Sequence, residues 1–273
     1  MELYNEDCLE RMKDISNNSI DLLFCDLPYG QTGCAWDCLI DLELFWKEVN
    51  RICKITCPMF FTCSTKFGVS LINSNPKNFR YDLVWVKSAS CGFLTAKKMP
   101  MKKHEMVYVF YRKLPLYDIS SHRQKFLKTE KNPKEGDAVY ANRYVGATIN
   151  KYDPPLPNSV ITTELPTKNK ILPVPQLVGC EGKVVRKKQE KYDPLLPHSI
   201  LEIKSEKGYH PTQKPVNLIM HFLKYYSKEG DLVLDPTMGS GSTGVACKNL
   251  NRKFIGIEQN TDIFNIAKDR LEN

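Results

Sequence analysis

The chain has 273 residues with a formal net charge of +8, and 42% of the residues are hydrophobic. No stretch approaches the run of about 18 apolar residues that a membrane-spanning helix needs, and the acidic start MELYNEDCLERM is unlike a secretory signal peptide. The ten cysteines include no CxxC pair, which disfavours structural zinc and favours reduced thiols. We therefore expect an intracellular, cytoplasmic protein that binds no metal and no membrane.

Seven short and mostly continuous apolar runs predict buried strands. They lie at 2–4, 20–25, 58–63, 82–87, 106–111, 231–235 and 253–257. Helical periodicity is clear in three places, at 41–53, 216–227 and 260–272. Strands that alternate with helices predict an α/β sheet.

The middle of the chain, residues 113–210, is rich in Pro and Lys and has few long apolar runs. It contains a weak repeat, KYDPPLPNSVITT at 151–163 and KYDPLLPHSILEI at 191–203. We interpret the two copies as strand-and-turn units of an inserted region, with chance similarity of proline-rich loops as the alternative. Basic residues concentrate at 95–135, where eleven Lys or Arg accompany four acids. This charge fits either a solvated surface or a polyanionic partner.

The strand at 231–235 runs into a glycine-rich turn, DPTMGSGSTG, before a helix begins. Glycines permit a tight turn there, and the N–H groups at the start of a helix bind anions. Glu258 ends the next strand, near where an acid would accept hydrogen bonds from ribose hydroxyls. This order predicts a nucleoside cofactor. Only two strands remain from residue 231 onward, so the other strands must come from the first hundred residues, and the domain is circularly permuted.

The strand at 20–25 runs into Asp26-Leu27-Pro28-Tyr29-Gly30. Such a sequence suits an ordinary turn, but the end of a parallel strand is also where ligands bind. The Asp26 carboxylate and the Leu27 carbonyl could accept both protons of an exocyclic amine, while Tyr29 stacks on its ring. His104 and Glu105 either face the same cleft or lie on the surface.

These motifs together resemble those of the β-type amino-group DNA methyltransferases, which modify adenine N6 or cytosine N4. DLPYG is similar to their D-P-P-Y catalytic motif, and NEDCLERM at 5–12 resembles the segment before it. HPTQKP at 210–215, followed by LVLDPTMGSGSTG and IGIE, is similar to their C-terminal half. The one departure is Leu27, where the family usually has proline, but this position would act through its backbone carbonyl.

The resemblance implies a seven-stranded, Rossmann-like methyltransferase sheet, circularly permuted, that binds S-adenosylmethionine. It implies three regions: a catalytic half at 1–112, an inserted target-recognition region at 113–204 and a cofactor-binding half at 205–273. It also implies double-stranded DNA as the partner, and it leaves a homodimer and a cognate restriction endonuclease open as further partners.

Individual residues take their implied roles from the same motifs. The implied catalytic residues are Asp26, Leu27, Pro28 and Tyr29. The implied contacts to S-adenosylmethionine are Asp7, Cys8, Lys214, Pro215, Asp235, Gly239, Ser240, Gly241, Thr243 and Glu258. Basic side chains that we expect to contact DNA phosphates include Lys97, Lys98, Lys102, Lys103 and Lys125.

The function implied is a site-specific DNA methyltransferase, of the kind found in restriction-modification, that methylates the N6 amine of a flipped adenine. An aspartate at the start of the catalytic motif favours adenine, since cytosine-N4 members more often begin with serine, but cytosine N4 stays open. Methylation of RNA or protein is a further alternative, although there the cofactor loop usually precedes the catalytic motif. A nicotinamide or flavin oxidoreductase has no use for DLPYG, and an inactive DNA-binding protein would not need both motifs intact.

Overall fold

A computed structural model describes residues 1–30, 38–91, 98, 102–118, 120, 123–126, 150–153, 201–203, 206, 208–209 and 213–272. The helices of this part are α1 Cys8–Met12, α2 Leu42–Ile52, α3 Thr65–Ser74, α4 Val216–Tyr226, α5 Ser242–Asn249 and α6 Thr261–Glu272. The strands are β1 Glu2–Tyr4, β2 Leu22–Cys25, β3 Met59–Cys63, β4 Phe79–Cys91, β5 Lys102–Phe110, β6 Arg123–Phe126, β7 Asn150–Asp153, β8 Leu201–Ile203, β9 Leu232–Asp235 and β10 Lys253–Ile257.

The main sheet has eight of these strands in the order β1-β10-β9-β2-β3-β5-β4-β8. Strand β5 runs antiparallel to its neighbours β3 and β4, and every other pairing among the eight is parallel. Strands β6 and β7 pair antiparallel in a separate two-stranded sheet.

Helices cover both faces of the main sheet, which explains why its strands are continuously apolar. In β2, Leu23 and Cys25 face the core formed with α1, α2 and α3, whereas Leu22 and Phe24 face the core formed with α4, α5 and α6. All four side chains of this strand are buried. A strand covered on both sides has no solvent face on which polar residues could alternate.

The connections from β2 and β9 leave these adjacent strands in opposite directions. Strand β2 leads through α2 to β3 on one face, and β9 leads through α5 to β10 on the other. A crevice therefore opens beyond the carboxyl ends of β2 and β9, at the position where open α/β sheets bind their ligands.

The seven predicted strands and the three predicted helices are confirmed, with ends that differ by a few residues. Among the described elements, α1, α3 and β6 were not predicted, whereas β7 and β8 overlap the two repeat copies that were interpreted as strand-and-turn units. Helix α3, TKFGVSLINS, contains residues of low helical propensity, but Ser64 caps its start and Phe67 and Leu71 are buried against the sheet. Strand β8 extends the sheet to eight strands by pairing with β4 at its outer edge.

Strands β4 and β5 continue past the carboxyl edge of the sheet as a two-stranded ribbon. Cys63, the last residue of β3, pairs with Met106, whereas β5 begins four residues earlier at Lys102. Residues 87–91 of β4 accompany this extension. The ribbon therefore stands beside the crevice.

The inserted region, its KYDP repeat and the three-region division are predictions about a part of the chain that the structure describes only in short pieces. Most of 113–204 and most of both KYDP repeat copies lie outside the described residues. The three-region division thus remains a prediction. None of the helices described is long and apolar enough to cross a membrane.

Candidate active site at the carboxyl edge of the sheet

The loops that follow β2 and β9 meet in the crevice through Thr237. Its hydroxyl donates a hydrogen bond to the Asp26 backbone carbonyl over 3.1 Å and lies 3.4 Å from the Cys25 sulfur. The DLPYG segment and the glycine-rich turn, which are more than 200 residues apart in the chain, are therefore parts of one site.

The Asp26 carboxylate is held from several directions. Its Oδ1 accepts hydrogen bonds from the Tyr29 hydroxyl at 2.5 Å and from the Thr62 hydroxyl at 2.7 Å. Its Oδ2 accepts a hydrogen bond from the Lys214 ammonium. With 28% of the side chain exposed, the carboxylate is oriented yet reachable from the crevice. Thr62 was missed by the sequence analysis, although a threonine within the buried run MFFTC signals a polar group that needs a partner.

Tyr29 fixes the position of this carboxylate. Its hydroxyl also lies within 2.9 Å of the Thr62 backbone carbonyl, and its ring packs 5.4 Å from that of Phe67. Burial, together with the charge of Asp26, raises the pKa of Tyr29 well above its usual value, so the hydroxyl stays a donor. Leu27 is buried in the core, and Pro28 is half-buried.

Lys214, which lies just before α4, links the cofactor-binding half of the chain to the catalytic half through its hydrogen bond to Asp26. Its side chain is only 9% exposed, and its ammonium lies 3.7 Å from the Glu105 carboxylate. Glu105 forms a further ion pair with Lys87 of β4. Burial lowers the pKa of Lys214, but the carboxylates of Asp26 and Glu105 outweigh it and hold this pKa above its usual value. Glu105 thus faces the cleft, whereas His104 beside it is exposed.

The glycine-rich turn bends around a buried carboxylate. Gly239 and Gly241 have φ angles of +53° and +79°, a conformation that favours glycine. Apart from Gly239 and its chain neighbours, no described residue has an atom within 4 Å of the point where a Gly239 side chain would begin. Asp235 accepts hydrogen bonds from the Thr243 hydroxyl at 2.5 Å and from the Thr237 N–H at 3.2 Å. The turn therefore leaves open space next to a fixed set of polar groups.

Glu258 joins the glycine-rich turn to the loops after β1 and β10. Its two oxygens accept hydrogen bonds from the Gly239 N–H at 3.1 Å and the Asn260 N–H at 2.8 Å. Asn5 donates to the Glu258 backbone carbonyl at 2.8 Å. Desolvation raises the pKa of Glu258 above its usual value. The predicted cofactor residues that follow β9 and β10 are thus brought together at one edge.

The loop after β1 contributes Asp7 and Cys8 at the same edge of the sheet. Asp7 caps α1 by accepting hydrogen bonds from the N–H groups of Leu9 at 2.8 Å and Glu10 at 3.2 Å. Cys8 is buried, which raises its thiol pKa to about 12, so this residue is neutral.

The pKa of Asp235 gives a testable pH dependence. Burial raises it to about 7, because a carboxylate with 4% exposure has lost most of its hydration. A carboxyl group whose pKa is raised by folding stabilises the protein fully at low pH, and this contribution is lost as pH rises through the folded pKa. From pH 8 to pH 6, we expect Asp235 to add about 1 kcal/mol to the free energy of unfolding.

Urea unfolding of the wild type and of Asp235→Asn at pH 6, 7 and 8 measures this contribution. The difference between the two proteins should change with pH, and the exposed control Asp82→Asn should follow the wild type. Parallel profiles for the wild type and Asp235→Asn would show that Asp235 does not titrate near pH 7 in the folded protein.

The predicted DNA-binding lysines are described only in part. Lys98, Lys102 and Lys103 are exposed, and the latter two begin β5 on the ribbon beside the crevice. Lys97 lies outside the described residues, and of Lys125 only the backbone in β6 is described. Among the described side chains, no three His, Cys, Asp or Glu residues come together as a metal site would require.

Comparison with known proteins agrees with this arrangement. A family model described as DNA methylase matches residues 20–269. Type II methyltransferase M.HindIII of Haemophilus influenzae is 28% identical over 98% of this chain and 94% of its own length. In structure, the chain is similar to the M1.HpyAVI–SAM complex, with a TM-score of 0.56 and 22% identity over 99% of each chain. It is also similar to the cytosine-N4-specific PvuII DNA methyltransferase, with a TM-score of 0.60 and 15% identity over 98% of this chain and 85% of the other.

Proposed function

Because the chain belongs to the DNA methylase family, it is a DNA methyltransferase, and we propose that it methylates the exocyclic N6 amine of an adenine extruded from duplex DNA. The observation that carries this proposal is the Asp26 carboxylate, fixed by Tyr29 and Thr62 at the end of β2. An aspartate at this position favours adenine over cytosine, as the resemblance of DLPYG to D-P-P-Y implies.

The residues of the other loops fit S-adenosylmethionine as the methyl donor. Open space lies at Gly239, and the carboxylates of Asp235 and Glu258 flank the same turn. We propose that Glu258 holds the ribose and that Asp7 and the Cys8 backbone meet the adenine edge. The methionine end would lie against the turn, in contact with Asp235, Gly239, Ser240, Gly241, Thr243, Lys214 and Pro215. When bound, S-adenosylmethionine supplies a methyl group that its sulfonium already activates.

The protein's task is then to position the amine. The nitrogen of an aromatic amine is a poor nucleophile because its lone pair is delocalised into the ring. Asp26, with the Leu27 carbonyl, would accept hydrogen bonds from the amine and favour a more pyramidal nitrogen, with Tyr29 beside the ring. Catalysis can then depend on orientation and exclusion of water rather than on a strong base. Extrusion of the base costs a few kcal/mol, which phosphate contacts offset.

Nucleoside analysis tests the proposed target. The purified protein is incubated with methyl-labelled S-adenosylmethionine and several kilobases of PCR-amplified duplex DNA, which carries no methylated base. Digestion should yield labelled N6-methyldeoxyadenosine. Labelled N4-methyldeoxycytidine would move the target to cytosine, and label found in RNA or protein but in no DNA would contradict the proposal.

The exposed lysines at the start of β5 give a second measurable prediction. If Lys102 and Lys103 neutralise DNA phosphates, their joint replacement by Gln should weaken DNA binding at low salt. It should also reduce the slope of log affinity against log salt by about 2, because each phosphate contact contributes about 0.9.

A matched control is the pair Lys228→Gln and Lys253→Gln. Both lysines are exposed, and both lie at the amino ends of β9 and β10, on the opposite edge of the sheet. A salt slope that changes equally in both double variants would make Lys102 and Lys103 an ordinary solvated surface.

A homodimer and a cognate restriction endonuclease remain predictions. Light scattering of the pure protein tests the first, and co-purification tests the second.

A further inference from the structure

Four charged side chains form consecutive ion pairs from the ribbon to the DLPYG segment. In order they are Lys87 of β4, Glu105 of β5, Lys214 before α4 and Asp26 after β2. The exposed fractions of the last three are 15%, 9% and 28%. Two positive and two negative charges balance, which is what a largely buried ionic cluster requires.

Lys214 is shared unequally between its two carboxylates. Its ammonium donates a hydrogen bond to Asp26 Oδ2, whereas Glu105 Oε2 lies 3.7 Å away. Among the described residues, this Glu105 oxygen is buried and has no hydrogen-bond partner. A buried carboxylate oxygen without a donor is costly, and such oxygens are rare in folded proteins. A shift of the ammonium by about 1 Å would satisfy it, since a charge-assisted N–H···O bond measures about 2.8 Å.

The other oxygen of the catalytic carboxylate is already occupied. Asp26 Oδ1 accepts hydrogen bonds from Tyr29 and Thr62, so Oδ2 is the oxygen that contacts a third group. That group is an amine donor, the ammonium of Lys214. It occupies the position at which the proposed function requires the amine of the substrate.

We propose that Lys214 is a positioning residue whose ammonium occupies the site of the target amine on Asp26 Oδ2. When the extruded base arrives, the ammonium moves from Asp26 to a hydrogen bond with Glu105 Oε2. This inference rests on the proposed function. The exchange involves no proton transfer, because the ammonium and both carboxylates keep their charges. Before the exchange Asp26 is hydrogen-bonded and Glu105 Oε2 is not, and afterwards the amine satisfies Asp26 while Lys214 satisfies Glu105.

The exchange would also select the substrate. A base that presents an amino group replaces the lost hydrogen bond to Asp26. A base that presents a carbonyl oxygen at that position, such as thymine or guanine, would set two acceptors against each other, and Lys214 would stay on Asp26. Sites that bind a substrate N–H in this way reject analogues without it strongly, because a buried polar group is left unpaired.

The first test is Glu105→Gln, which removes the charge that receives Lys214. We expect its single-turnover rate of methyl transfer to fall about 30-fold, while the dissociation constant for S-adenosylmethionine, measured by calorimetry, stays within about 3-fold of wild type. Glu48→Gln is the matched control, since Glu48 is 13% exposed and pairs with Arg51 at 2.7 Å on α2. Wild-type turnover by Glu105→Gln would overturn the proposal.

The decisive test is the double variant with Lys214→Met. Once the ammonium is absent, nothing has to leave Asp26, so adding Glu105→Gln to Lys214→Met should change the rate by less than about 3-fold. If Glu105 were merely structural, Glu105→Gln would lower the methyl-transfer rate by the same factor in the wild type and in Lys214→Met. This additive outcome would overturn the proposal.

A double-mutant cycle of unfolding free energies measures the contact of Lys214 with Asp26 in the absence of substrate and turnover. Urea unfolding of the single and double variants should show strong coupling between Lys214→Met and Asp26→Asn, and weaker coupling between Lys214→Met and Glu105→Gln. Equal coupling would overturn the inference even if the enzyme methylates adenine. Failure of the wild type to label any DNA would instead remove the proposed function, while the denaturation cycle still reports where Lys214 is held.

Discussion

Replacement of Asp26 by Asn should lower the methyl-transfer rate about 10³-fold, the range found when a key electrostatic group of an active site is removed. The amide keeps the shape of the side chain but turns one acceptor into a donor. At Oδ1 that donor would face the hydroxyls of Tyr29 and Thr62, and at Oδ2 it would face Lys214. In either orientation the target amine loses the negatively charged acceptor that orients it.

The variant should still bind S-adenosylmethionine within about 3-fold of wild type, because Asp26 contacts the glycine-rich turn through its backbone carbonyl, which accepts from Thr237, and the substitution leaves this contact in place. Asp82→Asn is the control, since Asp82 is exposed on β4. Single-turnover rates and calorimetry on the same preparations separate the two effects. Full activity of Asp26→Asn would show that another group orients the amine.

Replacement of Glu258 by Ala should raise the dissociation constant for S-adenosylmethionine about 100-fold, because hydrogen bonds to a charged group contribute about 1.5–3 kcal/mol. Two contributions act together. The variant loses the carboxylate that we expect the ribose hydroxyls to contact, and it releases the Gly239 N–H, which Glu258 holds at 3.1 Å. The turn that surrounds the cofactor is then less well fixed.

Calorimetric titration measures this loss, with Glu229→Ala as the control because Glu229 is exposed just before β9. At saturating S-adenosylmethionine, Glu258→Ala should regain most of its methyl-transfer rate, since the amine site is unchanged. An unchanged dissociation constant would assign the ribose to another group, and a rate that stays low at saturation would place Glu258 closer to the reaction.

The sheet and the position of the two main loops were predictable because their signals are local. Continuous apolar runs mark strands covered on both faces, and DLPYG and DPTMGSGSTG each follow such a run directly. The circular permutation followed from counting the strands available after residue 231. Helix α3 escaped prediction because its propensity is low and its stability comes from the burial of Phe67 and Leu71.

The contacts between the loops were not predictable, because they depend on where distant elements pack. Lys214 was assigned to the methionine end of the cofactor from its motif, a role that stays a prediction, and its bond to Asp26 joins residues 188 positions apart. Glu105 was left between a cleft and a surface role, since one strand pattern cannot show which side chains of the ribbon turn inward. Thr62 and Thr237 do carry a signal in the sequence, since polar residues in or beside buried strands need hydrogen-bond partners.

The pairing of β2 with β9 has a consequence for synthesis of the chain. Leu22 and Leu23 pair with Val233 and Leu234, so one edge of β2 stays unpaired until residues beyond 230 have left the ribosome. Until then the strand LLFC, which is fully buried in the folded protein, has an unpaired apolar edge, and such edges invite aggregation. The nascent chain should depend on chaperones until β9 has been made, and its reaction centre cannot assemble before then.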